Sequence, residues 1–162
     1  MLKYITTMNT KMGSCISTPK EEITYDKTTP FVPPIDKGKV VKIYDGDTIT
    51  IAAKLPYSSS PLYRFSVRLN GIDTPELHTK NLEEKEMAEK ARDALKMQIM
   101  NKEVELKNRK TEKYGRLLAD VYCENFYINE WLVNERFAVK YDGGTKKTPV
   151  SWKKYKETGE LN

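Results

Sequence analysis

An α+β fold, an open five-stranded β-barrel of the OB type with about three helices packed on it, is predicted by the order of the hydrophobic periods. Short alternating runs come first, one long apolar stripe at helical spacing stands between the third and fourth strands, and shorter helical and strand-like runs close the chain. With 162 residues, 38% hydrophobic and 31% charged, the chain supports one domain with a real core and polar extensions. No run approaches the ~18–20 apolar residues that a membrane-spanning helix requires.

Residues 1–36 are rich in Thr, Lys, Ser and Pro, with Pro30, Pro33 and Pro34 crowded together, and show neither helical nor strand period. They read as a tail, leaving 37–162 as the folded domain. From Lys39 the pattern alternates through Val40, Val41 and Ile43, turns at Asp45 and Gly46, and resumes over Thr48–Ile51. This is a hairpin, with Gly46 expected at positive φ so that the turn can tighten. A polar loop over Pro56–Pro61 precedes a third strand, Tyr63–Ile72, which leads straight into Asp73. Asn81 and Glu84 mark a helix start, and Met87, Ala91, Leu95 and Ile99 make one apolar stripe over about 82–101. Val104 with Leu106, and then Leu117–Cys123, read as strands separated by a basic segment, Asn108–Gly115. Glu124 and Asn125 make a turn, Asn129 is expected to cap a short helix through Glu135, and a last strand covers 138–141.

Net charge is +5, and the excess sits late: residues 136–162 carry seven Lys/Arg against three Asp/Glu, and residues 107–116 carry five against one. Such patches suit a polyanion, although a basic end is also simply a solvated surface. Cys15 in a polar tail and Cys123 at the end of an apolar run make no disulfide framework, and residues 1–11 lack a secretory apolar stretch. A reduced, intracellular setting is expected.

Three islands carry chemistry: Asp45-Gly46-Asp47-Thr48, then Arg68 ahead of Asp73-Thr74-Pro75-Glu76, then Lys113-Tyr114-Gly115-Arg116. Carboxylates at Asp47 and Asp73 suit an oxygen-loving divalent ion, with the Thr74 carbonyl beside them. Glu76 then orients or deprotonates a water, while Arg68 and Arg116 clamp phosphate oxygens. Arg68 stands five residues before Asp73, so strict alternation puts them on opposite faces unless Gly71 marks a bulge or twist. Each island has a plainer reading: a hairpin turn with solvated acids, a helix entry at Thr-Pro-Glu, and a generic basic turn. His78 is the sole histidine, which excludes a histidine-rich zinc or copper site and leaves it as a surface residue.

Taken in order, the three motifs resemble those of the staphylococcal nuclease (thermonuclease) family over roughly Lys39–Tyr141. The resemblance implies an OB-type barrel that hydrolyses DNA and RNA with calcium, as an endonuclease leaving 3′-phosphate ends. Asp47, Asp73 and Thr74 would hold the metal; Glu76 would be the base; Arg68 and Arg116 would clamp phosphate. Lys113 and Tyr114 match nucleotide-contacting positions, and Tyr141 stands where the family has a pair of tyrosines. The loop Pro56–Leu62 is longer than the compact bacterial pattern, and the final helix is shortened. A monomer is expected. The alternative is a catalytically silent nuclease-like OB module that binds nucleic acid or protein. Occupancy of all five functional positions by the required residue types favours catalysis.

Met12-Gly13-Ser14-Cys15-Ile16-Ser17 has the form of an N-myristoylation signal if translation starts at Met12, with Cys15 placed for palmitoylation. Two acyl chains anchor stably where one does not, so this reading implies membrane association. If translation starts at Met1 the match is accidental, since the motif needs a free glycine; under the Met12 start, intact mass of the native protein shows a chain beginning at Gly13 and carrying acyl groups. Retention of residues 1–11 without them disposes of the anchor.

Overall fold

The computed structural model describes residues 22–112 and 114–162. Gly13, Cys15 and Lys113 lie outside the described residues. The chain divides into two compact units, Met1–Pro30 and Phe31–Asn162. Within the first, the described part carries a 3-10 turn at Tyr25–Lys27, closed by the Thr28 hydroxyl donating to the Tyr25 carbonyl at 2.7 Å.

The second unit runs β1 (Lys37–Ile43), β2 (Thr48–Lys54), β3 (Leu62–Leu69), β4 (Ile72–Asp73), α1 (Leu82–Ile99), β5 (Glu103–Thr111), β6 (Leu117–Cys123), β7 (Phe126–Tyr127), α2 (Ile128–Asn134), β8 (Val139–Lys140) and α3 (Trp152–Thr158). Strands β3-β2-β1-β5-β6 form the five-stranded barrel, and β3 returns to β6 in parallel through Val67–Leu117, Arg68–Leu118 and Leu69–Ala119. That pairing closes the barrel, which removes the two open edges. Strand β7 extends the sheet beyond β6, while β4 and β8 form a separate two-stranded ladder. Among the described residues no helix is long and apolar enough to cross a membrane.

The core follows the alternation. Val40, Ile49, Ile51, Val67, Leu69, Ala119 and Val121 are fully buried inside the barrel, and Leu95 and Ile99 of α1 plug it. Each buried Leu or Ile contributes about 1.5–3 kcal/mol. Asn81 caps α1 as its spacing predicts, its side chain accepting from the Glu83 and Glu84 amides. Met87, on the same stripe, joins Val139, Trp152 and Tyr155 in a second cluster that fastens α3. Ahead of β1, Ile35 is buried in the core, the Asp36 carbonyl accepts from the Leu106 amide at 2.7 Å, and the Thr111 hydroxyl donates to the Phe31 carbonyl at 2.6 Å. Residues 31–36 therefore pack on the barrel.

Two local readings are corrected. Chain direction changes at Asn70–Gly71, so the third strand stops at Leu69 and Ile72–Asp73 pairs with β8 instead. Gly71 makes this possible at φ +75°. Asn129 does not cap α2, whose N-cap is Tyr127. Its side chain is buried, accepts from the Val121 amide at 3.0 Å, and donates to the carbonyls of Asn70 (2.8 Å) and Ala119 (3.3 Å). One amide thus joins α2, β6 and the turn that aims β4. Asn129→Ala removes the partner of the Val121 amide and of the Asn70 carbonyl, while the Ala119 carbonyl keeps the Asn70 amide at 2.8 Å; urea unfolding should show a loss of about 2–3 kcal/mol.

Candidate active site

Strands β2, β3 and β4 deliver the acids and the first arginine to one end of the barrel. Thr48 pairs with Arg68 across β2 and β3, and the Leu69 amide donates to the Asp47 carbonyl at 2.8 Å, so Asp47 sits beside Arg68 by register. After the Asn70–Gly71 turn, Asp73 comes back to the same guanidinium. Arg68 forms an ion pair with Asp47, and its Nη2 donates to Asp73 Oδ1 at 3.3 Å and to the Ile72 carbonyl at 3.2 Å. The change of direction at Gly71, anticipated as a bulge, is what places Arg68 and Asp73 on the same side.

Asp45 supports the turn, its Oδ1 accepting from the Asp47 amide at 3.1 Å. Gly46 is needed for a different reason from the one its turn position suggests. It does not have a positive φ; a Cβ there would stand 3.0 Å from the Thr74 side chain. Glycine lets the two acid-bearing loops close on each other.

A cleft of about 350 Å³ opens over these groups, lined by Asp45, Asp47, Arg68, Thr74, Glu76, Glu112, Tyr114, Arg116, Tyr141 and Lys146. All the described residues expected from sequence to serve the site therefore meet at one cleft, with Asp73 just beneath it. Arg116 enters from the opposite lip, between β5 and β6; its Nη1 donates to the Thr48 hydroxyl at 3.4 Å and its Nε pairs with Glu112. Tyr141 is held by its amide donating to the Gly71 carbonyl at 2.9 Å and its hydroxyl donating to the Gly144 carbonyl at 3.0 Å. His78 is exposed, as expected, with Nε2 3.4 Å from the Tyr44 hydroxyl. A larger cavity of about 490 Å³ adjoins the cleft and shares Tyr141, but its lining of Asn70, Asp120, Asn129 and neighbours brings no pair of arginines to a carboxylate cluster.

Sequence reasoning missed Glu112 and Lys146. Glu112 had a faint signal, standing four residues before Arg116 around a turn whose Glu112 amide donates to the Arg116 carbonyl at 3.0 Å. Lys146 had none. Its Nζ lies 2.7 Å from Glu76 Oε1 and 3.0 Å from Asp73 Oδ1.

The electrostatics are acid-rich. Among the described residues, five carboxylates (Asp45, Asp47, Asp73, Glu76, Glu112) face three cations (Arg68, Arg116, Lys146). Burial pushes the Asp47 carboxyl up to about 7 against the opposing pull of Arg68, and the neighbouring charge of Asp45 adds to the rise. For Arg68, burial acts to lower the pKa, yet Asp47 and Asp73 outweigh it and hold the guanidinium above its ordinary value. One guanidinium shared by two buried carboxylates leaves the trio short of positive charge.

No group of three or more His, Cys, Asp or Glu side chains among the described residues forms a metal cage by itself. The residues nevertheless fit a hard divalent ion. Asp73 Oδ2 is buried with no hydrogen-bond partner, a state that costs about 1–3 kcal/mol or more for a charged group unless a cation meets it. The donors at hand are oxygens, and the surplus of negative charge matches a dication.

The family model for staphylococcal nuclease homologues matches residues 66–159. Similar proteins include an uncharacterized protein of Bacillus anthracis (36% identical over 106 residues, 64% of this chain and 46% of the relative) and a thermonuclease of Staphylococcus hyicus (33% over 102 residues, 62% and 56%). A third, an uncharacterized endonuclease of Haemophilus influenzae, is 33% identical over 103 residues, 64% of this chain and 51% of the relative. The chain thus spans about half the length of these curated relatives. It belongs to the staphylococcal nuclease homologue family.

The raised Asp47 pKa fixes a sign for pH dependence. A carboxyl whose folded pKa stands at about 7 rather than 3.8 favours folding when protonated; that contribution is complete below 3.8 and is lost as pH rises through about 7. In ion-free protein the melting temperature of Asp47→Asn relative to the unsubstituted chain should therefore climb between about pH 5 and about pH 8.5. A pH-independent difference contradicts this assignment.

Proposed function

We propose that this chain is a calcium-dependent phosphodiesterase, an endonuclease that hydrolyses DNA and RNA and leaves 3′-phosphate ends. The observation that carries the reading is the shared guanidinium: Arg68 lies between buried Asp47 and Asp73, with Asp73 Oδ2 unpaired and Arg116 facing them across the cleft. Asp47, Asp73 and the Thr74 carbonyl are the residues that would hold calcium. When bound, the ion supplies charge neutralisation and polarises phosphate oxygen and water.

The remaining roles belong to the chain's own groups. Glu76 has an exposed carboxylate at the cleft, 60% accessible, which lets it meet a water and accept its proton. The hydroxide oxygen forms the new bond to phosphorus as the bond to the 5′ oxygen breaks, and the departing 5′ oxygen takes a proton from solvent water to leave as a hydroxyl, so the phosphate stays on the 3′ side. Arg68 and Arg116 face the non-bridging oxygens, where negative charge rises. Planar guanidinium groups suit that contact, and Glu112 orients Arg116 for it. Tyr114 and Tyr141 present rings at the rim for sugar or base, and the basic segment containing Lys113 and the basic C-terminal region attract the polyanion.

Incubating denatured DNA and RNA with the full chain, with calcium and then with chelator, tests the reading. Cleavage that requires calcium is expected; intact substrate at protein concentrations that bind it leaves the silent binding module. Glu76→Gln is expected to lower kcat by about a hundredfold or more, and Arg116→Ala by a similar factor, without unfolding the barrel. Full activity in either variant removes its assigned role.

A further inference from the structure

Lys146 stands on the connection between β8 and α3, away from the three sequence islands. Tyr141 donating to the Gly144 carbonyl (3.0 Å) and the Gly144 amide donating to Asp142 Oδ1 (2.9 Å) fold this connection back over the cleft. The ammonium then bridges Glu76 Oε1 at 2.7 Å and Asp73 Oδ1 at 3.0 Å. It ties the carboxylate assigned as base to one assigned to the metal.

The two cations on Asp73 differ in mobility. Arg68 is 14% exposed and pinned by Asp47, Asp73 and the Ile72 carbonyl. The Lys146 side chain is 44% exposed on a flexible stem, with its head in the cleft. A dication arriving at Asp73 repels both, and only the lysine can withdraw. Arg68 and Arg116 line the same cleft, so a phosphate held between them would offer the ammonium a new partner.

We propose that Lys146 is a tethered counter-cation: it neutralises Asp73 and Glu76 before the divalent ion binds, is displaced when the ion enters, and then engages the substrate phosphate beside Arg68 and Arg116. The inference rests on the proposed function, in that the ion is bound through Asp47, Asp73 and Thr74. It makes ion and phosphate binding cooperative, because the group that opposes the first assists the second.

Calorimetric titration of the full chain with calcium, without nucleic acid, tests the first half. Lys146→Ala and the longer neutral Lys146→Gln are expected to bind calcium about tenfold more tightly than the unsubstituted chain, while Lys146→Arg is not. Titration of the calcium-loaded proteins with thymidine 5′-monophosphate tests the second, and the neutral variants should bind it several-fold more weakly. Calcium bound by the unsubstituted chain with unchanged or weaker affinity in the neutral variants overturns this inference alone. Tighter calcium with unaltered monophosphate binding overturns the phosphate half. No calcium uptake by any of the proteins overturns the calcium reading of the site, and the inference with it. Circular dichroism melts of each variant verify that the barrel is intact.

Discussion

The Arg68 guanidinium is the point from which the rest of the site is arranged. It rises from β3, pairs with Asp47 at the mouth of β2, and reaches Asp73 on β4 and the Ile72 carbonyl. Removing the arginine would leave buried Asp47 without its cation and Asp73 with Lys146 alone, which is far costlier than losing a surface ion pair. The same contact that joins three segments leaves negative charge in excess, since one guanidinium serves two acids. The link between the three segments and the surplus of negative charge therefore arise from one arrangement.

Around that contact, the barrel provides rigidity and short polar links provide aim. Parallel closure of β3 on β6 holds Arg68 in register with Leu118, and bulky residues of both strands fill the interior. Asn129 fastens the turn leading into β4. Close by, Asp120 accepts from Asn70 at 3.0 Å and from Asn108 at 2.6 Å, so both its oxygens are satisfied. Burial, reinforced by the charge of Asp120, pushes the Tyr127 hydroxyl up to about 12. These amides are all paired, Asn129 buried, Asn70 half-buried and Asn108 exposed, and they stabilise the direction of Asp73 without lining the cleft.

Much of this was legible from local pattern because local pattern is what short-range sterics and hydrophobic period dictate. The stripe Met87, Ala91, Leu95 and Ile99 predicts a helix face, and all four are buried. Asn81 predicts an N-cap and caps. Asn129 misled for a physical reason: Asn is favoured at caps, but a side-chain amide has donors and an acceptor that can satisfy three strand-end backbone groups at once. Gly46 misled similarly, since glycine serves both for positive φ and for close approach, and sequence does not separate the two.

The order and type of the three islands, the helix that divides them and the alternating strands were determined by the sequence itself, because residue chemistry and period are local properties. The tertiary structure decided which side chains meet. Strand pairing set Thr48 opposite Arg68, a left-handed Gly71 turned Asp73 back towards it, and the fold brought Lys146 across seventy residues to Glu76. No periodicity records such an encounter: a salt bridge depends on the distance between two side chains in space, and that distance is set only when the intervening barrel has closed.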